Sequence, residues 1–292
     1  MSNCIELDRN YISKFIPKRE ENSNKGTFGT VLNIAGSIYY PGAAYLSSIA
    51  ALKSGAGLVR LASETNVILQ TSNKTPDVTF IDMGQTDEGT VPKNGLKYIK
   101  DVQHINAISI GSGLTTLRSV KEFLDKFLKF YFKSSIPIVI DADAINLISQ
   151  MSKPFIPLNS VITPHPMELS RLLKIGVSEI QSDRIKYCKQ ASMQFDCIVV
   201  LKGKNTVISI PNGLTFVNTT GNSALSHAGT GDVLTGMIAG LAAQGMRLED
   251  ACVTGVYLHG LAGEFASLEL SEFSTLASDV LNYIPKAFKA VI

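Results

Sequence analysis

The chain has 292 residues, 45% of them hydrophobic, with 23 glycines, no tryptophan and a net charge of +2. That length and apolar share fit a large α/β core in one domain or two smaller ones, and the near-neutral charge gives no electrostatic case for nucleic acid. Four scattered cysteines without a Cys-x-x-Cys pair argue against a structural zinc site or a disulfide framework and for reduced thiols in the cytoplasm. The N-terminus has no secretory pattern and no stretch is long enough to span a bilayer.

In chain order, residues 1–24 read as a polar lead-in anchored by Ile12, Phe15 and Ile16. Thr30–Ala35 is a buried strand. The small residues Gly42, Ala43 and Ala44 open a helix that runs to about Lys53; they serve either close helix–sheet packing or a ligand at a strand end. Leu58–Ala62 is a strand, with helices expected near 65–73 and 94–101. Ala107–Ile110 is a strand that opens into Gly111-Ser112-Gly113-Leu114, too short for a dinucleotide fingerprint. A long amphipathic helix covers about 117–133.

The strand Pro137–Ile140 ends in Asp141-Ala142-Asp143. These aspartates could bind a metal, or one could cap a helix over 143–150. Ser160–Thr163 is a strand, and the following Pro164 and Pro166 hold His165 in a rigid loop where it could meet a ligand. A helix over Val177–Phe195 leads to the strand Cys197–Leu201. Lys202-Gly203-Lys204-Asn205-Thr206 then reads either as a hairpin turn or as an anion site. The tail is helical over Ala251–Glu264 and about Thr275–Ala290.

The strongest signal lies at Asn218–Gly245. After the strand Thr215–Val217, small polar residues end in Gly229-Thr230-Gly231-Asp232, and an amphipathic helix begins at once, to be closed by Gly245 in a left-handed cap. Glycines before a helix let backbone N–H groups converge on an anion at the positive end of the helix dipole. Asp232 would repel phosphate there, so it reads either as a cap or as the general base for a hydroxyl that attacks phosphorus. Gly229, Thr230 and Gly231 form the expected anion hole. Walker loops, Gly-x-Ser-x-Gly elbows and His-Glu-x-x-His motifs are missing.

Five segments, KGTFGTVLNIAGS with GAA and SGAGLVRLAS, DADAINLIS, TPHPMELSRLL, VVLKGKNTVI and GTGDVLTGMIAGLAAQG, resemble in order and spacing the ADP/ATP-dependent NAD(P)H-hydrate dehydratases. The resemblance runs from about Lys25 to Pro285. It implies a single domain over 1–292 with a ribokinase-like, Rossmann-type three-layer fold around a mostly parallel sheet. It implies a magnesium-dependent lyase that consumes ADP (ATP in eukaryotic members) to dehydrate NADHX or NADPHX. Carried over by position, Ala44, Gly113, His165 and Asp232 would contact the dinucleotide. Lys202, Gly203, Lys204, Asn205, Thr206 and Gly231 would hold the nucleotide, with Asp232 catalytic and no residue assigned as a metal ligand. A homotetramer and a separate epimerase are further implications; a ribokinase-like kinase of a vitamin-type alcohol is the alternative. The chain departs from the family pattern at Ser112 and Thr115 (usually Gly-Pro-Gly-Leu-Gly), at Ser226-His227 and at Pro76-Asp77 (usually Pro-Glu).

Overall fold

The computed structural model describes residues 4–292. In chain order its elements are β1 (Cys4–Glu6), α1 (Arg9–Ile12), β2 (Thr30–Ile34), α2 (Pro41–Lys53), β3 (Leu58–Ser63), α3 (Thr65–Ser72), β4 (Thr79–Asp82), α4 (Leu96–Ile99), β5 (Ala107–Ile110) and α5 (Arg118–Tyr131). There follow β6 (Ile138–Ile140), α6 (Ala142–Ile148), β7 (Ser160–Ile162), α7 (Pro166–Leu173), α8 (Val177–Ser182), α9 (Arg184–Phe195), β8 (Ile198–Leu201), β9 (Thr206–Ser209) and β10 (Thr215–Asn218). A 3₁₀ turn (Ser223–Ser226) and α10 (Thr230–Ala243), α11 (Leu248–Leu270) and α12 (Ala277–Val291) complete the chain.

The strands form one ten-stranded sheet in the order β1-β10-β9-β8-β7-β6-β5-β2-β3-β4. Only β9 runs against its neighbours; the other pairings are parallel, β1 with β10 included. Strands buried on both faces read as continuous apolar runs, as in IVI and IVVL. Alternate residues of β2 split between two cores: Val31 packs with α2, α10, α11 and α12, and Leu32 and Ile34 with α5, α6 and α9. This is the three-layer, mostly parallel α/β architecture expected. Among the described residues no helix is long and apolar enough to cross a membrane.

One polar residue interrupts β2. Asn33 is 1% exposed. Its amide donates to Ser47 Oγ at 2.8 Å and Ser48 Oγ at 2.9 Å, and its carbonyl accepts from Ser109 Oγ at 2.9 Å. A buried amide with its partners in place ties β2, β5 and α2 into one register.

Helices α2 and α10 lie against each other at backbone distance. A Cβ on Gly236 would fall 2.1 Å from the Ser47 carbonyl oxygen, and one on Gly240 2.4 Å from that of Ala51. Their C-terminal ends are joined by Gln244, whose Nε2 donates to Ser54 O at 2.9 Å. Gly245 follows α10 at φ +89°, the left-handed stop expected from sequence.

Several expectations change. The lead-in is more than an anchor, because Cys4–Glu6 adds an edge strand and Asp8 caps α1 by accepting from Tyr11 N at 2.7 Å. The anchors behave as expected: Ile12 is fully buried, with Phe15 and Ile16 packed on the core. The span 177–195 is two helices, broken at Asp183, whose side chain caps the second. β4 was not foreseen in the polar stretch 63–105, because exposed Thr79 and Asp82 flank half-buried Phe80 and Ile81, which gives neither an alternation nor a continuous apolar run.

Candidate active site

In open α/β sheets ligands bind at strand C-terminal ends where the strand order reverses. Here the order reverses between β2 and β5: β3 and β4 follow β2 on one side, and β5 to β8 run away on the other. The loops after these two strands meet there, with Gly36 N donating to Ser112 O at 2.8 Å. Two cavities open along this edge, one on each side of the start of α10.

The first, of about 610 Å³, is lined by Lys202–Thr206, Asn218, Thr230, Gly231 and His259, among others. Lys202–Thr206 is the β8–β9 hairpin, the turn reading of this segment, and it lines this cavity. Gly203 sits at φ +134° and Asn205 at +54°, residue types that tolerate that region. Arg184 braces the turn by donating to the carbonyls of Leu201 at 2.9 Å and Lys202 at 3.1 Å.

The second, of about 690 Å³, is lined by Tyr39, Tyr40, Ala43, Gly113, Thr115 and Asp232, among others. The small residues that open α2 divide their roles. Ala43 lines this cleft, while Ala44 is fully buried and packs where a Cβ on Gly36 would come within 2.8 Å of it. The substrate contact assigned to Ala44 therefore involves no exposed side chain. Gly113 has no room for one: at φ +66°, a Cβ there would be 2.8 Å from both Tyr40 Cβ and Ala43 Cβ.

Between the cavities stands the N-terminus of α10. Gly229 is its cap at φ +91°, where a Cβ would strike Leu46 at 2.6 Å. Asp232 is thus the third residue of the helix and not its cap. The Thr230 N–H is engaged with His227 O at 3.4 Å, and Val233 N makes the first bond of the helix to Gly229 O. The N–H groups of Gly231 and Asp232 lie in the first turn, where α-helical N–H groups have no intrahelical partner. The unengaged N–H groups at this helix start are thus those of Gly231 and Asp232, one residue beyond the expected Gly229–Gly231 run. The Thr230 hydroxyl is engaged within the loop, donating to Leu225 O and His227 O.

Below this helix start lies Asp141, 1% exposed. It fills neither role read for it: it occupies the cap position of α6 without a capping bond, and its oxygens are taken by Lys202 Nζ at 2.7 Å, Thr163 Oγ1 at 2.7 Å and Thr235 Oγ1 at 2.8 Å. Nor is Asp143 the expected cap; it accepts from Thr115 N at 2.8 Å. The pairing aims Lys202 at the start of α10, with its Nζ 3.4 Å from where a Cβ on Gly231 would lie. Burial works to lower the Lys202 pKa, but Asp141 and Glu168 outweigh it and raise it, so the ammonium stays charged.

Burial, then the charge of Asp141, push the Asp232 carboxyl up to about 6, against the pull of the Ser112 hydroxyl and Lys202. Burial also raises Asp143 and Glu168. Asp232 is therefore mostly ionised at pH 7 yet close enough to neutrality to accept a proton readily.

His165 is not in a free loop. It is the N-cap of α7, with Pro166 at the first helical position, and its Nδ1 accepts from Met167 N at 3.1 Å and Glu168 N at 3.3 Å. Glu168 completes the capping box through His165 N at 2.8 Å. Burial, Lys202 and Arg171 lower the histidine pKa. The ring is thus neutral with its proton on Nε2, 3.4 Å from Glu168 Oε1. Sequence reasoning missed Glu168, although Pro followed two residues later by Glu is a helix-start signal. It also missed Tyr40, Thr163 and Thr235, which only the fold brings to the site.

A helix start that offers N–H groups to a phosphoryl group, and a carboxylate beside it that can take a proton from the attacking hydroxyl, are the two needs of phosphoryl transfer. On this sheet they mark the chain as ribokinase-like in fold. A family model described as NAD(P)H-hydrate dehydratase matches residues 31–286. The chain is 34% identical over 282 residues to the ADP-dependent (S)-NAD(P)H-hydrate dehydratase of Bacillus subtilis, covering 96% of each chain. It is 36% identical to the bifunctional NAD(P)H-hydrate repair enzyme of Moorella thermoacetica, covering 92% of this chain but 51% of that one. This chain thus spans about half the length of such bifunctional relatives. A Bacillus subtilis ADP/ATP-dependent NAD(P)H-hydrate dehydratase co-crystallised with ATP and Mg²⁺ superposes with a TM-score of 0.86 at 33% identity, over 100% of both chains. The chain belongs to the NAD(P)H-hydrate dehydratase family.

Proposed function

We propose that this protein is an ADP-dependent (S)-NAD(P)H-hydrate dehydratase, which returns hydrated nicotinamide dinucleotides to NADH or NADPH with release of AMP and phosphate. The observation that carries this reading is the Asp232 carboxylate, with a pKa raised to about 6, set between two cavities at a helix N-terminus. One cavity takes the nucleotide along the Lys202–Thr206 hairpin, and the other takes the hydrated ring against Gly113, Tyr40 and Ala43.

Hydroxide is a poor leaving group, so the ring hydroxyl is first converted to a phosphate ester. Asp232 takes its proton as the oxygen attacks the terminal phosphorus of ADP, and the bond to AMP breaks. The N–H groups of Gly231 and Asp232, the helix dipole and Lys202 hold the negative charge that builds on the phosphoryl oxygens. The ring nitrogen then pushes out phosphate, and loss of a proton from the adjacent ring carbon restores the double bond. His165 is not among the residues that line either cavity, and its place on the substrate side rests on the family resemblance.

Among the described residues no three His, Cys, Asp or Glu side chains are grouped to hold a metal alone. Magnesium does not need such a group, since it takes one or two carboxylates, water and phosphate oxygens. Asp143, an oxygen donor that borders the same cleft as Asp232, fits it and would hold it together with phosphate oxygens and water. When bound it neutralises charge on the transferring phosphate. The chain acts as one functional unit in the cytoplasm, where its four free thiols are at home, and assembles as a homo-oligomer.

Incubating the protein with NADHX, ADP and magnesium, with chromatographic analysis, tests the reading. NADH, AMP and phosphate in equal amounts are expected. A stable phosphorylated product from a vitamin-type alcohol, with no NADH from NADHX, would replace it with the kinase reading.

A further inference from the structure

A third cavity, of about 670 Å³, lies beyond the substrate cleft between α6 and α7. Thr116, Asp143, Asn146, Ser149, Gln150, Arg171 and Lys174 line it. Thr116 and Asp143 also line the substrate cleft, so the two cavities are continuous at those residues. Its outer wall carries two cations, and among the described residues neither Arg171 nor Lys174 is within ion-pair distance of a carboxylate.

Both cations are held in place by neutral oxygens. Arg171 donates to Asn146 Oδ1 at 2.7 Å, and Lys174 donates to Ser149 O at 2.7 Å from a left-handed backbone at φ +58°. A guanidinium and an ammonium that line one cavity, neither of them in an ion pair, form a site for a phosphate group that the Asp143 carboxylate at the cavity's inner edge keeps to the outer wall.

We propose that this annex holds a phosphate of the substrate's far half, with Arg171 and Lys174 setting dinucleotide affinity. The inference rests on the dehydratase reading, which places the hydrated ring at Asp232 and directs the rest of the dinucleotide outward past Thr116. Two phosphates could reach the annex: the diphosphate bridge common to NADHX and NADPHX, or the additional phosphate on the adenosine ribose of NADPHX alone.

The test compares wild type with Arg171→Gln/Lys174→Gln, measuring kcat and KM for NADHX and for NADPHX, and ADP affinity by calorimetry. The expected result is a KM raised roughly 10-fold or more, as for lost hydrogen bonds to a charged group, with ADP affinity and kcat held within about two-fold. A rise for both substrates assigns the site to the diphosphate, and a rise for NADPHX alone assigns it to the ribose phosphate. Unchanged KM for both would overturn the proposal and leave Lys174 as a C-terminal clasp on α6. Arg171→Gln alone keeps that clasp, so it carries the test if the double variant does not fold. A wild-type protein that makes no NADH from NADHX would instead sink the dehydratase reading.

Discussion

The two halves of the site handle difficult backbone in opposite ways. On the Lys202–Thr206 side the left-handed positions Gly203, Asn205 and Gly221 fall on glycine and asparagine; on the Asp232 side one falls on Gly113 but another on Thr115, at φ +73°. Asparagine and glycine take that region with little penalty, whereas a β-branched threonine does not. The raised carboxylates Asp143 and Asp232 also border the substrate cleft. In the proposed reading, nucleotide affinity is built from relaxed backbone and one lysine, whereas placing Asp232 as the base demands buried charge and a strained loop, so that strain collects where the proton would move.

The largest effect that would break this contrast is at Asp232. Asp232→Asn is expected to lower turnover by at least ~100-fold while binding ADP as well as wild type or better, because a charge facing phosphate is removed. The wild-type kcat/KM should climb with pH through about 6, where the Asp232 carboxyl ionises, and the residual rate of the variant should lack that limb. Stability moves the other way. A carboxyl raised from 3.8 to about 6 holds its proton more tightly folded than unfolded, so wild-type stability falls as pH rises from 3.8 and the penalty is complete above 6. Denaturant melts above pH 7 should show the variant more stable by as much as ~3 kcal/mol. A variant that keeps most of its NADH production would place the base elsewhere.

Lys202→Ala strikes the other half. Loss of a charged contact should weaken ADP binding by roughly 1.5–3 kcal/mol. It also leaves Asp141 buried without its cation, which costs about 3–5 kcal/mol of fold stability. Lys202→Met with Asp141→Asn should recover much of the stability and none of the ADP affinity. Calorimetry that finds normal ADP binding in either variant would reduce the hairpin to a turn.

The smallest expected effect sharpens the contrast in strain. Thr115 has a buried hydroxyl without a partner as well as its left-handed backbone. Thr115→Gly relieves ~1–2 kcal/mol of backbone strain and adds unfolded-state entropy, for a net gain of roughly 0.5–1 kcal/mol. Thermal melts would read it, and a loss of stability would show that Thr115 is not strained.

The parts legible from sequence were those with a period or a glycine in a fixed place: the apolar strands, the long amphipathic helix before β6, the GTGD helix start and the Gly245 stop. What stayed hidden needed partners far apart in the chain. Asp141 could be read as a metal ligand or a cap because its bonding partners lie at Thr163, Lys202 and Thr235. α7 was hidden because two prolines around a histidine suggest extended chain, and histidine is an uncommon cap. Ala44 could not be separated from Ala43, because one residue of helical rotation decides which of them meets the cleft and which the sheet.

The backbone contact of α2 with α10 has a consequence for how the site can open. Tyr40 and Ala43 enter the cleft from the start of one helix and Asp232 from the start of the other, so the base and the facing wall ride on a single stiff beam. Local fluctuations cannot slide one past the other without lifting Gly236 off Ser47 and Gly240 off Ala51. Amide hydrogens along these two helices should therefore exchange only when the whole fold comes apart, while those of the β8–β9 hairpin exchange by local opening. In the proposed reading, access for the nucleotide is then set by the hairpin side, while the geometry around Asp232 persists for as long as the protein is folded.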